Sequence, residues 1–171
     1  SHPELRRVPW RFSEWADHAL DYGRPEVRAY HLALLRELLE RYDCDGLELD
    51  WMRFGFHFRP GHEHQGVALL TEFTAAVREF ADTWQARRGH PIRLAARVPS
   101  RPQTAYDLGM DAVTWARRGL VDRLVITPFW ATIETDMPLE LWRSLLADTQ
   151  TELAAGLELL VRPYPAYQGP L

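Results

Sequence analysis

Apolar residues at steps of three and four predict several helices along this chain. The clearest case is residues 25–42, which place a proline in the first helical turn. Its apolar face is formed by Val27, Tyr30, Leu34, Leu38 and Tyr42. The same spacing predicts three further helices, over 67–89, 108–115 and 138–146. Helices are therefore expected to make up much of the chain.

Short segments with a period of two lie between these helices and predict β-strands. The four segments are 47–51, 92–98, 124–127 and 157–162. In three of them charged residues lie opposite the apolar face: Glu48 and Asp50, Arg93 and Arg97, and Glu158 and Arg162. The sequence thus predicts strands with one apolar face and one face that carries charges of both signs.

Strands separated by helices predict parallel pairing and an α/β fold. An open parallel sheet covered on both faces has nearly continuous apolar strands, whereas a (β/α)8 barrel turns one strand face into its lumen. The charged faces favour the barrel, provided that opposite charges pair. Because such a barrel has eight strands in roughly 250 residues, residues 1–171 are expected to be a single segment with about four βα units, a fragment of a longer catalytic domain. The alternative is an open parallel α/β sheet.

Composition excludes several classes of function. The 171 residues carry a formal charge of -4, and all 20 basic residues are arginines scattered among acids. A nucleic-acid partner is therefore not expected. No apolar run approaches the ~18 residues of a membrane span, so no membrane partner is expected either. Cys44 is the one cysteine and cannot pair within the chain.

Carboxylates near the predicted strand ends are the candidate catalytic groups, since ligands of parallel α/β proteins bind beyond the carboxyl ends of the strands. Hydrolysis of a glycosidic bond needs one acid to protonate the leaving oxygen and another to attack or stabilise the cationic centre. We expect Asp50 at the rim as nucleophile or charge stabiliser. Glu48 lies one layer deeper, where pairing with an arginine such as Arg97 is expected. Glu134 or Asp136 is the expected source of the second acid, although Asp136 also fits a helix N-cap.

Arginines and aromatic residues near the same strand ends are the candidate substrate-binding residues. They are Trp51, Arg53, Arg97, Phe129, Trp130, Arg162 and Tyr164. Flat rings stack on sugar faces, and guanidinium groups bind hydroxyl or carboxylate oxygens. The competing interpretation is that the rings pack beneath the loops and that the arginines neutralise Glu48 and Asp50.

A long loop over residues 52–65 contains His57, His62 and His64 with Glu63. Metal binding by these residues is an alternative, but zinc ligands need to be held by defined elements. We therefore expect the loop to line a substrate cleft and predict no metal and no cofactor.

Two stretches of sequence resemble a family of glycosyl-hydrolase-like TIM barrels, often labelled family-10-like. They are residues 21–28 (DYGRPEVR) and 41–54 (RYDCDGLELDWMRF). In that family a helix with the motif LDxxxPEVR leads into a fourth strand with the motif DG[ILV]x[LF]D[FYW]xR. Residues 94–99 and 121–125 are similar to the fifth and sixth strands.

The resemblance implies the carboxyl-terminal half of a carbohydrate-active barrel, roughly strands 4 to 7, with Asp50 as a catalytic aspartate and a carbohydrate as substrate. The remaining half of the barrel would then be a partner of this segment. A secreted or periplasmic location is also implied by the resemblance, while the residues themselves leave the compartment open. Two further hypotheses remain at this point: a carbohydrate-binding barrel without catalysis, and a metal-dependent hydrolase that uses the histidine loop.

Overall fold

The computed structural model describes residues 2–10, 18–53, 55–129 and 136–157. After a short 3-10 helix at Pro3–Leu5, helices and strands alternate as the hydrophobic periodicity predicts. The elements are α1 (Pro25–Arg41), β1 (Gly46–Asp50), α2 (Glu63–Arg88), β2 (Arg93–Pro99), α3 (Pro102–Asp107), α4 (Ala112–Arg117), β3 (Arg123–Thr127), α5 (Leu139–Leu145) and β4 (Glu152–Ala155).

The four strands form one parallel sheet in the order β1-β2-β3-β4. This confirms the predicted α/β class with a parallel sheet and fits a segment of a barrel or an open α/β sheet. Each strand pairs with the next one along the chain, so every crossover steps in the same direction across the sheet. A barrel is built by such uniform steps, whereas a doubly wound sheet reverses direction at a switch point.

Only one face of the sheet carries the main core, because successive strand residues point to opposite faces. The buried strand residues on this face are Leu49, Leu94, Ala96, Val98, Leu124 and Ile126. They pack in one cluster with Leu70, Phe73 and Val77 of α2 and with the buried indoles of Trp115 and Trp142. The charged residues predicted for the other face of β1 and β2 do lie there.

The predicted helix through residues 108–115 is helical only from Ala112, where α4 begins, and a separate short helix, α3, ends before it at Asp107. Gly109 follows the end of α3 with a φ of 92°. Residues other than glycine rarely adopt that backbone conformation. Met110 is then buried, and the Asp111 carboxylate accepts a hydrogen bond from the Thr114 N–H at 3.0 Å. Asp111 is therefore the N-cap of α4, which the apolar spacing alone does not reveal.

The fourth strand lies earlier than predicted. It spans Glu152–Ala155, and the predicted strand began at Leu157. The pairing with β3 places Glu152 opposite Arg123 and Leu153 opposite Leu124. A charged residue thus faces an opposite charge and an apolar residue joins the core. Residues 158–162, including Glu158 and Arg162, lie outside the described residues.

Phe58 fixes the loop that connects β1 to α2. Its buried ring presses against Gly66 in the first turns of α2 and against Gly109 after α3. A Cβ atom on either glycine would overlap the ring. The helix itself begins at Glu63, four residues before the predicted start, so the loop is shorter than the sequence predicts and is anchored at its centre.

Candidate functional site

The last residue of β1, Asp50, lies opposite Arg97 in the register of β1 and β2. The Arg97 Nη1 atom is 3.2 Å from Asp50 Oδ1 and 3.1 Å from Oδ2. Sequence reasoning paired Arg97 with Glu48, and this expectation was wrong. The parallel register brings Arg97 level with the rim residue instead.

Asp50 also shapes the chain that leaves the strand. Its Oδ1 atom accepts a hydrogen bond from the Met52 N–H at 3.0 Å, which closes a tight turn after the strand. The carboxylate is therefore bound by a guanidinium and a main-chain N–H while its side chain stays half-exposed. These two contacts fix the orientation of the carboxylate at the rim of the strand.

Glu48 lies on the same face of β1 as Asp50, roughly 7 Å deeper along the strand. Its side chain is exposed, and it forms no hydrogen bond or ion pair with any residue in the described part of the chain. The predicted arginine partner is thus absent among those residues. Glu48 and Asp50 do line the same cavity.

This cavity has a volume of about 500 Å3 and lies against β1, between α1 and the segment 18–22. Its lining residues include His31, Leu34, Trp51, Arg53, Phe56 and His57. Tyr22 forms part of the wall, and its ring stacks on His31 at 4.9 Å and meets Trp51 edge-on at 5.3 Å. Burial raises the pKa of the Tyr22 phenol, so it stays un-ionised.

His57 is a buried titratable group of the site with a strongly shifted pKa. Burial lowers the pKa of His57 to about 4, and the charge of Arg7 acts in the same direction, against the hydrogen bond to Trp51 and the charge of Asp50. The Nε2 atom lies 2.9 Å from the Trp51 carbonyl oxygen, so Nε2 carries the proton of the neutral ring and donates it. His57 therefore fixes the main chain that follows Asp50.

Trp51 was predicted to be an open ring that stacks on a sugar, but the structure buries it. Its indole is 4% exposed and packs in the core against Phe73 and Trp115. Alternation along β1 explains this, because Trp51 shares the apolar face of Leu49 and not the face of Asp50. Most of the Trp51 ring therefore packs beneath the loop, as the competing interpretation of this ring expected.

Phe129, one of the predicted sugar-binding rings, pairs with a ring that sequence reasoning did not name. Phe129, which follows β3, stacks on Phe56 with ring centroids 6.3 Å apart and an angle of 25°. Phe56 lines the cavity and holds the Arg7 guanidinium 5.2 Å from its ring centre. Sequence analysis named Phe129 but missed Phe56, Tyr22 and His31. The signal available for Phe56 was its position in a loop that leaves a strand bearing a candidate catalytic residue.

The other predicted site residues divide into three groups. Asp136 is exposed ahead of α5, and because Pro138 is the N-cap of that helix, the N-cap expectation for Asp136 was wrong. Arg53 is exposed on the wall of the cavity beside Asp50. Glu134, Trp130, Arg162 and Tyr164 lie outside the described residues.

The histidines of the loop do not gather in the described part of the structure. His62 precedes α2 and contacts Gln65, while His64 lies on α2 with its ring 6.1 Å from that of Tyr106. Residues 2–10, 18–53, 55–129 and 136–157 contain no cluster of three histidine, cysteine or acidic side chains that could hold a metal ion. Over the same ranges, no helix combines the length and apolar character needed to cross a membrane.

A second charged cluster lies on the same sheet face at the amino ends of the strands. Glu152 of β4 accepts hydrogen bonds from Arg123 at 2.6 Å and 3.0 Å and from Arg93 at 2.9 Å. The hydrogen bonds from Arg123 and then from Arg93 lower the pKa of the Glu152 carboxyl. Charges of both signs from three strands therefore meet on this face, and of these residues the sequence analysis named Arg93 alone.

Curated proteins similar to this chain carry the name glycosyl hydrolase DigH. The chain is 22% identical over 173 residues to the proteins of that name from Escherichia coli (strain K12), Escherichia coli O157:H7 and Shigella flexneri. The match covers 81% of this chain and 38% of each relative, so the chain spans about two fifths of their length. No protein-family model matches the chain. The chain is thus distantly similar to proteins named glycosyl hydrolases.

Proposed function

We propose that this chain is part of the catalytic barrel of a glycoside hydrolase that cleaves O-glycosidic bonds in oligosaccharides or polysaccharides. The observation that carries the proposal is the position of Asp50, at the carboxyl end of a parallel strand, bound by Arg97 and facing a cavity of about 500 Å3. Ligands of this fold class bind at that end of the strands. The distant similarity to proteins named glycosyl hydrolases supports the same chemistry.

In this mechanism Asp50 acts as the nucleophile or as the group that stabilises the cationic sugar. Arg97 and the Met52 N–H hold the carboxylate in one orientation, and they compensate its charge before substrate arrives. Glu48 is the deeper carboxylate of the same cavity. Glu134, in the loop after β3, is the proposed general acid. If its carboxyl group lies about 5 Å from Asp50 the reaction retains the anomeric configuration, and a separation of about 6.5 to 9.5 Å gives inversion.

The substrate is bound by rings and guanidinium groups around Asp50. The stacked pair Phe56 and Phe129 supplies an aromatic surface close to the cavity, and Arg53 supplies hydrogen-bond donors. The proposed contacts further along the substrate are Trp130, Arg162 and Tyr164, while Trp51 forms part of the cavity wall. No cofactor takes part in this mechanism.

The barrel in this proposal is of the family-10-like type, and the chain supplies roughly strands 4 to 7 of the eight. The uniform strand order and the single covered face of the sheet support this assignment. The charged open face then lines the barrel interior, and the remaining half of the barrel completes the cavity around Asp50.

A second candidate is a sugar-binding barrel without catalysis. It is favoured by one observation: within the described residues, Asp50 is the sole carboxylate at the carboxyl end of a strand. A barrel with aromatic rings and one acid binds sugars but lacks the second group that hydrolysis requires.

The test compares two substitutions at opposite ends of β1 in the full-length protein. Asp50→Asn removes the proposed catalytic carboxylate, and Asp45→Asn removes an exposed carboxylate at the amino end of the strand as a matched control. Release of reducing ends is measured on a panel of polysaccharides, together with thermal unfolding and binding of the same glycans. We expect Asp50→Asn to lower turnover by about 100-fold or more with unfolding unchanged, and Asp45→Asn to leave turnover intact.

The outcomes separate the two candidates. Unchanged turnover in Asp50→Asn would remove Asp50 from the mechanism. A wild-type protein that binds glycans and releases no reducing ends supports the binding barrel.

A further inference from the structure

The carbonyl oxygen of Trp51 is the point to which the loop after β1 is attached. Two donors reach it, the Gly55 N–H at 3.2 Å and the His57 Nε2 atom at 2.9 Å. Trp51, Gly55 and His57 are all buried. Because a buried carbonyl oxygen is unfavourable without a donor, these two hydrogen bonds hold Gly55 and His57 close to the end of β1.

His57 is in turn held by the segment before α1. Its carbonyl accepts a hydrogen bond from the Tyr22 N–H at 2.8 Å. The His57 ring meets those of Trp51 and Tyr22 edge-on, at 5.0 Å and 5.8 Å, and the residue is 8% exposed. The ring therefore has little freedom to move away from the Trp51 carbonyl.

The peptide group between Trp51 and Met52 connects His57 to Asp50. The oxygen of this peptide accepts the hydrogen bond from His57, and its N–H, on Met52, donates to Asp50 Oδ1 at 3.0 Å. A peptide group is planar and moves as one unit, so the bond from His57 also sets the position of the donor that orients Asp50. A shift of about 1 Å at a reacting group can lower a rate by about 100-fold.

Gly55 determines how closely the same loop approaches Phe129. Its φ is 67°, and a Cβ atom at this position would lie 2.6 Å from Phe129 Cε1. Both the backbone conformation and the close approach therefore require glycine. Phe129 is the ring that stacks on Phe56, so the geometry of this aromatic pair depends on Gly55.

We propose that His57 and Gly55 are positioning residues of the proposed active site. His57 orients the Asp50 carboxylate through the peptide group that follows β1, and Gly55 lets the aromatic pair form beside the cavity. Each residue acts through another one. The kinetic effects rest on the proposed glycan cleavage: His57 acts on kcat, because it places the reacting carboxylate, and Gly55 acts on KM, because the rings bind substrate.

Two amide variants of His57 differ in reach and provide a matched pair. Glutamine places its nitrogen as many bonds from Cβ as His57 Nε2, whereas asparagine is one carbon shorter and leaves the Trp51 carbonyl without this donor. The full-length protein is assayed on the polysaccharide that it cleaves fastest. We expect His57→Asn to lower kcat by about 30-fold with KM within about threefold. His57→Gln should restore kcat to within about threefold of the wild type.

Gly55→Ala should have the opposite kinetic effect, since its methyl group displaces Phe129. We expect KM to rise by about tenfold with kcat within about threefold. Ala81→Gly, in the separate apolar cluster of Leu39 and Ile92, is the control: it weakens a helix and should leave both constants unchanged. Equal kcat in the two His57 variants, or an unchanged KM in Gly55→Ala, would overturn the inference.

Amide hydrogen exchange tests the fixed peptide without a glycan. In the wild type, we expect the Met52 and Gly55 amides to exchange within about tenfold of the Trp51 amide, which donates to the Arg97 carbonyl. The Met52 amide should exchange at least about tenfold faster in His57→Asn than in His57→Gln. Fast exchange of Met52 in the wild type, or equal exchange in the two variants, would overturn the inference. Failure of the wild type to cleave any glycan would contradict the proposed function instead, and the exchange of Met52 would then decide the inference.

Discussion

Arg97 lies directly across from Asp50 in the parallel sheet, and one guanidinium nitrogen is within 3.2 Å of both carboxylate oxygens. Both side chains are partly exposed, at 29% and 39%. Ion pairs with this much solvent contact contribute about 1 kcal/mol or less to stability. The pair therefore matters for the orientation and charge of Asp50 more than for holding the sheet together.

Replacement of Arg97 is expected to separate activity from stability. Arg97→Gln should lower glycan turnover by about tenfold or more, while the free energy of unfolding falls by about 1 kcal/mol or less. Arg93→Gln is the control, since Arg93 lies on the same face of the same strand but pairs with Glu152 at the opposite end. Steady-state kinetics and urea unfolding of both variants check the prediction. Equal loss of turnover in the two variants would show that Arg97 has no special role.

The buried His57 makes stability depend on pH. Its pKa is about 4 in the folded protein against an ordinary value of 6.5, so between these values the unfolded chain binds a proton that the folded one lacks. The free energy of unfolding should therefore fall as the pH is lowered from about 6.5 to 4, by up to about 3 kcal/mol. Urea unfolding measured across this range checks the prediction.

His57→Gln tests the source of that dependence, because the glutamine amide retains a donor for the Trp51 carbonyl and does not titrate. The slope of stability against pH should flatten in this variant. An unchanged slope would assign the dependence to other groups. The exposed His90 works in the opposite direction, since its hydrogen bond to Asp43 raises the pKa of His90 and favours the folded state at low pH.

The contact between Gly66 and Phe58 predicts an unusual response to alanine. In an open helix position Gly→Ala stabilises by about 1 kcal/mol, but at Gly66 the new methyl group would overlap the Phe58 ring. We expect Gly66→Ala to destabilise the protein by about 1 to 3 kcal/mol. In a Phe58→Ala background the same change should become neutral or stabilising. Thermal unfolding of the wild type, the two single variants and the double variant tests this prediction. An equal effect of Gly66→Ala in both backgrounds would exclude the overlap.

The buried hydrogen bond from Trp115 Nε1 to Thr71 Oγ1, 2.9 Å long, predicts a cost for removing its acceptor. Thr71→Val keeps the shape of the side chain and leaves the indole N–H without a partner. Stability should fall by about 1 to 3 kcal/mol. Thr83→Val, at an exposed position on the same helix, is the control and should change stability by about 0.5 kcal/mol or less. A loss at Thr71 no larger than at Thr83 would contradict the prediction.

The helices and strands with regular apolar spacing were predictable from the sequence. Helix α1 and strands β1 to β3 lie within two residues of their predicted bounds, because burial of one face imposes a period that the sequence must follow. The start of α2 was missed because its first residues, Glu63 to Gln65, are polar and have no apolar period. Strand β4 was not predicted because Glu152–Ala155 is short and its small apolar residues give little alternation.

Within the candidate site, the sequence placed Asp50 at the end of β1 but did not decide whether Arg97 contacts Asp50 or Glu48. Which carboxylate Arg97 contacts depends on the register between β1 and β2, and register is set by contacts along both strands. The burial of Trp51 could have been predicted, because Leu47, Leu49 and Trp51 alternate along the strand and share its apolar face. The cavity wall formed by Tyr22 and His31 could not be predicted from the sequence, because it arises from the packing of α1 beside the segment before it.

The pleat of β1 places two adjacent residues under different constraints. Asp50 faces the open side, where its neighbours are solvent and Arg97, and Trp51 faces the packed side, where its neighbours are other rings. A substitution at Asp50 can therefore change the chemistry of the rim without repacking the interior, and a substitution at Trp51 disturbs the interior first. Divergence in ligand preference is expected to accumulate at even-numbered positions of this strand, while the odd-numbered ones stay apolar.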